Sequence, residues 1–203
     1  MSQRTQQLAA LSQVISAASR SLDLETLMST ALQQAIHVMD MDAGGLWLID
    51  EGGRLRLTAE KGMSPKTKEN LAWLAPEQGA TGRAATSGQT IVVEDLLSMP
   101  YLTIPAVLKE GIRGMAAVPI RVRDRVLGVL DVMAVRPRAF TADEIALLTS
   151  MGQQIGLALD SVRLMHEVRA SAERVAGLQE RERIAIELHD GLLQTLGYLY
   201  LRT

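Results

Sequence analysis

Twice in this chain an apolar stretch runs out to a few polar residues and a second apolar stretch runs back. GGLWLID, the turn EGG and RLRLTAE form one such unit. GMAAVPIRV, the polar residues around Arg123, Asp124 and Arg125, and VLGVLDVMAV form the other. Side chains of a strand point alternately to its two sides, and a short polar turn brings the next strand back antiparallel, so each unit predicts a hairpin. With TIVVED as a further strand, the hairpins constrain the chain to an antiparallel sheet. Helices must cover that sheet, which makes the fold class α+β.

Helical patterns stand on both sides of the strands. Leu8, Leu11, Ile15, Ala18 and Leu22 are spaced 3, 4, 3, 4, the narrow stripe of a coiled coil. In SLDLETLM, Asp23 is placed to cap a second helix that carries Leu24, Leu27, Ala31, Ala35 and Val38 on one side, a face suited to packing on the sheet. Between the hairpins lie SPKTKENLAWLAPEQGATGRAATSG and LLSMPYLTIPAVLKEG, broken by Gly and Pro. Connections of this length over a sheet commonly build a pocket. After Pro137 no proline occurs, and TADE offers a capping box in which Thr141 caps and Glu144 reaches back. From there one helix is expected nearly to the end, weakened by glycines such as Gly152 and Gly156 and with a break allowed near Gly177. Unbroken, about 60 residues reach roughly 90 Å, too long to bury against one small domain, so the expected partner is a second copy of the chain.

The stretch from about Leu22 to Val168 resembles a GAF domain, through LETLMSTALQQAIHVMDMDAGGLWLID, EQGATGRAATSGQTIVVED, GMAAVPIRVRDRVLGVLDV and FTADEIALLTSMGQQIGLALDSVRL. The closing ERERIAIELHDGLLQTL resembles the phosphoacceptor box of sensor histidine kinases of the nitrate/nitrite-sensor class, ERxRIAxELHDxxxQ, met here from Glu180 to Gln194. Together these imply an N-terminal dimerisation helix over 1–21, a GAF sensory domain over 22–168, and over 169–203 a signalling helix leading into the first helix of a dimerisation and phosphoacceptor domain. The N-terminal and long C-terminal helices are expected to form a parallel dimeric coiled coil. The resemblance also implies a NarL-like response regulator as partner.

His189 falls roughly 70° from the centre of the stripe formed by Ile184, Leu188, Leu192, Leu196 and Leu199, at the rim where its ring is reachable. An imidazole attacks a γ-phosphate through an unprotonated nitrogen, and needs a neighbour to fix its tautomer and take the other proton. Asp190 is placed to do this, and the resemblance implies the same role. It further implies that Gln194, one turn from Asp190, orients the water that removes phosphate from the response regulator. His37 and His166 are read as ordinary boundary residues. No phosphate-binding loop or nucleotide lid is legible, and the glycines of DAGG and DEGG are read as turn formers at strand ends. ATP and magnesium are therefore implied for a longer kinase, and this stretch alone is expected to be inactive.

Composition narrows the sensory side. The formal charge is −2, from 21 Lys and Arg against 23 Asp and Glu, which gives no electrostatic grip on nucleic acid or an anionic membrane. Arg121, Arg123 and Arg125 alternate as if on one solvated strand face. There is no apolar run near the ~18 residues of a membrane span and no signal peptide, so a cytoplasmic protein is expected. The chain has no cysteine, which removes thiolate metal sites, a covalently attached bilin and cysteine-dependent sulfoxide reduction. Haem is disfavoured because residues 44–140 contain no histidine. The cyclic-nucleotide signature is met only in part, by FTADE. A small-molecule ligand stays open, with Trp73, Tyr101, Arg113 and Met115 as candidate lining residues against their ordinary core and surface roles. The competing function is a GAF dimerisation or small-ligand-binding module without catalysis, with a coiled-coil tail.

Overall fold

The computed structural model describes residues 24–165, 167, 168, 171, 173 and 174. The chain divides into two compact units, residues 1–162 and 163–203. The N-terminal helix expected over 1–21, the Asp23 cap, and His166, His189, Asp190 and Gln194 lie outside the described residues. Of the coiled coil expected over 169–203, only residues 171, 173 and 174 are described, and these are helical and exposed.

In the first unit, helix α1 (Leu24–Val38) is followed by strands β1 (Ala43–Ile49) and β2 (Leu55–Lys61). Helix α2 (Pro65–Asn70), the short strand β3 (Trp73–Leu74), helix α3 (Gly79–Ser87) and strand β4 (Ile91–Val93) come next. Two 3-10 turns (Leu96–Ser98 and Pro100–Leu102), helix α4 (Pro105–Lys109) and strands β5 (Gly114–Val122) and β6 (Arg125–Ala134) complete the sheet region. A last helix, α5, occupies residues 142–162 of this unit.

The six strands form one antiparallel sheet in the order β3-β2-β1-β6-β5-β4. Both expected hairpins are present. Asp50 closes the first, its carboxylate accepting from the Arg54 backbone N–H at 2.8 Å, with Gly53 at φ 78° where a side chain would be strained. The second pairs Val122 with Arg125 across a two-residue turn, and Arg123 takes φ 53° there. The single arginine face expected from alternation is thereby corrected: the turn puts Arg121 on β5, Arg123 at the corner and Arg125 on β6. Arg121 is partly buried, its Nη1 donating to the Gly88 carbonyl at 3.0 Å.

Each face of the sheet carries its own core. On one, α1 lays down Leu27, Met28, Ala31, Leu32, Ala35 and Ile36, and α5 adds Leu148, Met151 and Ile155 over Leu46, Val118, Ile120, Leu130 and Val132. Burying a side chain of this size stabilises by roughly 1.5–3 kcal/mol. The glycines of α5 that weaken it as an isolated helix serve this packing: a Cβ on Gly156 would stand 2.3 Å from the Arg121 carbonyl oxygen. The capping box forms as expected, with Thr141 Oγ1 accepting from the Glu144 N–H at 3.3 Å and Glu144 Oε2 accepting from the Thr141 N–H at 2.8 Å. The other face is covered by short pieces instead, namely α2, α3, the 3-10 turns and α4, which pack on Trp47, Met115, Ala117, Val129 and Met133.

Candidate functional site

In the centre of that second face stands a carboxyl group. Asp131 lies on β6 between Val129 and Met133, in register with Gly45 of β1 and Ala117 of β5, and is 1% exposed. Its Oδ1 accepts the Gly45 backbone N–H at 2.9 Å, and its Oδ2 is 2.8 Å from the Thr81 hydroxyl. Thr81 is itself buried in the first turns of α3. Two neutral partners do not compensate for the loss of water around a charge, so burial pushes the Asp131 carboxyl up to about 8. Near neutral pH the protonated form predominates.

Gly45 shapes the surroundings. A Cβ there would fall 2.2 Å from the Trp47 ring, so the indole folds back over the residue that bonds Asp131. Its Nε1 donates to the Leu71 carbonyl at 3.3 Å. The reading of the DAGG glycines as turn formers is corrected accordingly. Gly44 and Gly45 sit within β1 without positive φ, and their lack of a side chain makes room for neighbours.

Asp131, Thr81 and Trp47 line a cavity closed by Leu74, Leu96, Leu102, Ile104 and Val107. The cavity is small: the centre of a water-sized sphere has about 10 Å³ in which to move, roughly the space of one water. Anything larger requires the cover to move. Of the residues expected to line a pocket, Met115 does so. Trp73 instead lies on the edge strand β3, 45% exposed, with the Arg54 guanidinium 4.5 Å from its ring centre. Tyr101 is 68% exposed. Arg113 reaches Asp95 through Nε at 2.8 Å and Nη2 at 2.6 Å, at the base of the cover rather than inside it. This guanidinium holds the Asp95 carboxyl below its ordinary range. Of the two histidines read as boundary residues, His37 is described, and it is exposed at the end of α1.

A second clasp joins the cover. Glu110, just after α4, accepts from Ser64, the cap of α2, and from Thr67 within it, and these bonds lower the Glu110 carboxyl. Asp131 and Thr81 escaped the sequence reading, yet a signal was present. In VLGVLDVMAV the aspartate is the single charge of an otherwise apolar strand, and period-2 counting puts it on one face with Val129 and Met133. Among the described residues there is no cluster of three or more His, Cys, Asp or Glu, and no helix is long and apolar enough to cross a membrane.

Comparison with known proteins places this architecture. The chain is 27% identical over 203 residues to the sensor histidine kinase YhcY of Bacillus subtilis, covering 95% of this chain and 51% of that protein. It is 28% identical over 180 residues to the Nif-specific regulatory protein of Azospirillum lipoferum, covering 84% of this chain and 28% of that one. The chain thus spans about half or less of the length of these relatives. Among solved structures, the GAF domain of an Acinetobacter phosphoenolpyruvate-protein phosphotransferase superposes with TM-score 0.68 at 23% identity, over 83% of this chain and 98% of that one. The corresponding domain from Coxiella burnetii gives 0.68 at 19% identity, over 82% and 99%. At these identities the likeness concerns the fold. The sequence profile of the GAF domain matches residues 21–160, more than half of the chain, and the protein belongs to the GAF domain family.

Proposed function

We propose that this chain is the sensory and phosphoacceptor part of a two-component sensor histidine kinase. In this reading the GAF domain biases a parallel helical dimer that presents His189 to an ATP-binding domain and then to a NarL-like response regulator. The observation that carries it is the reach of the kinase likeness. The GAF match ends at residue 160, whereas the likeness to the Bacillus subtilis kinase covers 95% of the chain and so extends into the closing segment, where ERERIAIELHDGLLQ stands. Exposed Leu164, Met165 and Val168 support a helical partner, since apolar residues at this spacing are the material of a dimer seam.

His189 would take the phosphoryl group, Asp190 would hold the imidazole tautomer and accept its proton, and Gln194 would orient the water for dephosphorylation. ATP and magnesium would be supplied with the catalytic domain. The test is labelling of the full-length kinase with [γ-32P]ATP. His189→Gln should abolish acid-labile label and leave the dimer intact. Asp190→Asn should slow labelling by about 10² to 10⁴, the usual contribution of a positioned base. Gln194→Ala should spare labelling and slow loss of phosphate from the regulator. Label persisting in the His189 variant would sink the assignment. The likeness to Nif-specific regulatory proteins favours a second reading, in which the domain is a ligand-binding or dimerisation module attached to another output.

A further inference from the structure

The geometry points to a compact organic cation as the ligand of the Asp131 cavity: a primary ammonium group on a short aliphatic body, its nitrogen held by the Asp131 carboxylate and the Thr81 hydroxyl. This rests on reading the GAF domain as the signal-receiving part of the protein, and it names the chemistry of the signal.

Five observations lead there. Asp131 is buried to 1% exposure, and no cationic side chain of the described residues bonds to it; Gly45 N–H and Thr81 hydroxyl are its partners. An ionised carboxylate in that position gains most from a cation brought from outside. The residues lining the cavity include no Lys, Arg or His, so an anion would meet only the repelling carboxyl. A hard metal ion wants six or more oxygen ligands, while the lining side chains offer oxygen only from Asp131 and Thr81. Everything else around the cavity is apolar, including Leu74, Leu96, Ile104 and Met115, and suits a hydrocarbon body that enters as the cover moves. The Trp47 ring, folded over Gly45, adds an aromatic surface beside the carboxyl, a further attraction for an ammonium group.

The carboxyl, raised to about 8, gives the proposal a distinctive signature. An ammonium ion entering at pH 6.5 meets a protonated acid, the acid ionises, and its proton leaves to the buffer. Binding must therefore release close to one proton per ligand, and must tighten as pH rises toward 8. A neutral ligand of the same shape releases none.

The experiment is calorimetric titration of the chain with the n-alkylammonium series from methyl- to hexylammonium chloride, at pH 6.5 in two buffers of different ionisation heat. The matched 1-alkanols and sodium chloride serve as controls. The expected result is that at least one amine binds at least about tenfold tighter than its alcohol, a difference of about 1.4 kcal/mol, with proton release near one. Asp131→Asn should remove both the preference and the proton release. If that variant fails to fold, Thr81→Val should weaken amine binding while keeping the release, and the wild-type proton count decides alone. Equal binding of amine and alcohol, binding without proton release, or no binding across the series would overturn the proposal. None of these outcomes bears on His189, whose labelling is measured separately. Amine binding that leaves kinase output unchanged would overturn the sensory reading instead.

Discussion

One sheet presents two unlike faces. The face under α1 and α5 buries a continuous apolar cluster and is sealed by two long helices, one of them locked at its start by the Thr141–Glu144 box. The opposite face carries a buried carboxyl at its centre and is roofed by short helices and 3-10 turns that side-chain clasps tie down at Glu110 and at Asp95–Arg113. Long helices bury continuous stripes and open only with the fold. Short covered segments have few internal bonds each and can open locally at lower cost. The adjacent residues Leu130 and Asp131 point to opposite faces, so the chain places a structural and a chemical surface one residue apart. The difference assigns stability to the first face and recognition to the second.

The most disruptive way to test that assignment is to exchange the characters of these neighbours. Leu130→Asp puts a carboxyl among the buried apolar side chains under α1 and α5. It should leave no cooperative unfolding transition by circular dichroism. Leu130→Ala should keep the fold at a cost of about 2–5 kcal/mol, read from the denaturant midpoint. If the aspartate were tolerated at 130, the apolar face would not be the structural one.

On the other face, stability should depend on pH. The Asp131 carboxyl titrates near 3.8 in the unfolded chain and at about 8 when folded, so between these values the folded state holds the extra proton. Its contribution is fully present below about pH 4 and is lost as pH rises through 8, with a slope of at most about 1.4 kcal/mol per pH unit. Asp131→Asn keeps the hydrogen-bonding shape and removes the titration. The variant should gain on the wild type steadily from pH 5 to 8 in chemical denaturation. Parallel pH profiles would show that the carboxyl is not buried in solution.

Thr141→Ala gives a smaller effect on the sealed face. It removes one half of the box at the start of α5 and should lower stability by about 1 kcal/mol, with no change in any binding at Asp131. A loss of binding would mean that the two faces are coupled through the sheet.

Much of the sealed face was legible in the sequence, because period and capping are local properties. The Leu27, Ala31, Ala35 spacing announced α1, the two polar turns announced the hairpins, and TADE announced α5. The recognition face was legible only in part. Its cover consists of segments shorter than the window over which periodicity speaks, so which side chains point inward is settled by tertiary packing. Of the four candidates chosen there, Trp73 and Tyr101 turn outward, Arg113 finds Asp95, and Met115 faces the cavity because it sits on a strand. Asp131 lay within a stretch used as evidence for a strand, where its charge should have prompted the question of what it faces.

The smallest expected effect concerns the roof itself. Arg113 is on the strand side of the cover, and Asp95 caps the first 3-10 turn through the Leu97 N–H at 3.1 Å while receiving the guanidinium. Both side chains are about one-third exposed or less, at 34% and 27%, so water already screens part of their attraction. Arg113→Gln keeps length and polarity and removes the charged fork. Global stability should hardly move, since Arg113 precedes β5 and the sheet itself is untouched. Amide hydrogen exchange across residues 96–108 should nevertheless quicken severalfold, with α1 and α5 unchanged, because the pair fixes a segment that has few other long-range bonds. A ligand at Asp131 should then enter and leave faster, in proportion to the exchange. Uniform acceleration over both faces would mean that Arg113 supports the whole fold, and the contrast between a sealed face and an openable one would lose its physical basis.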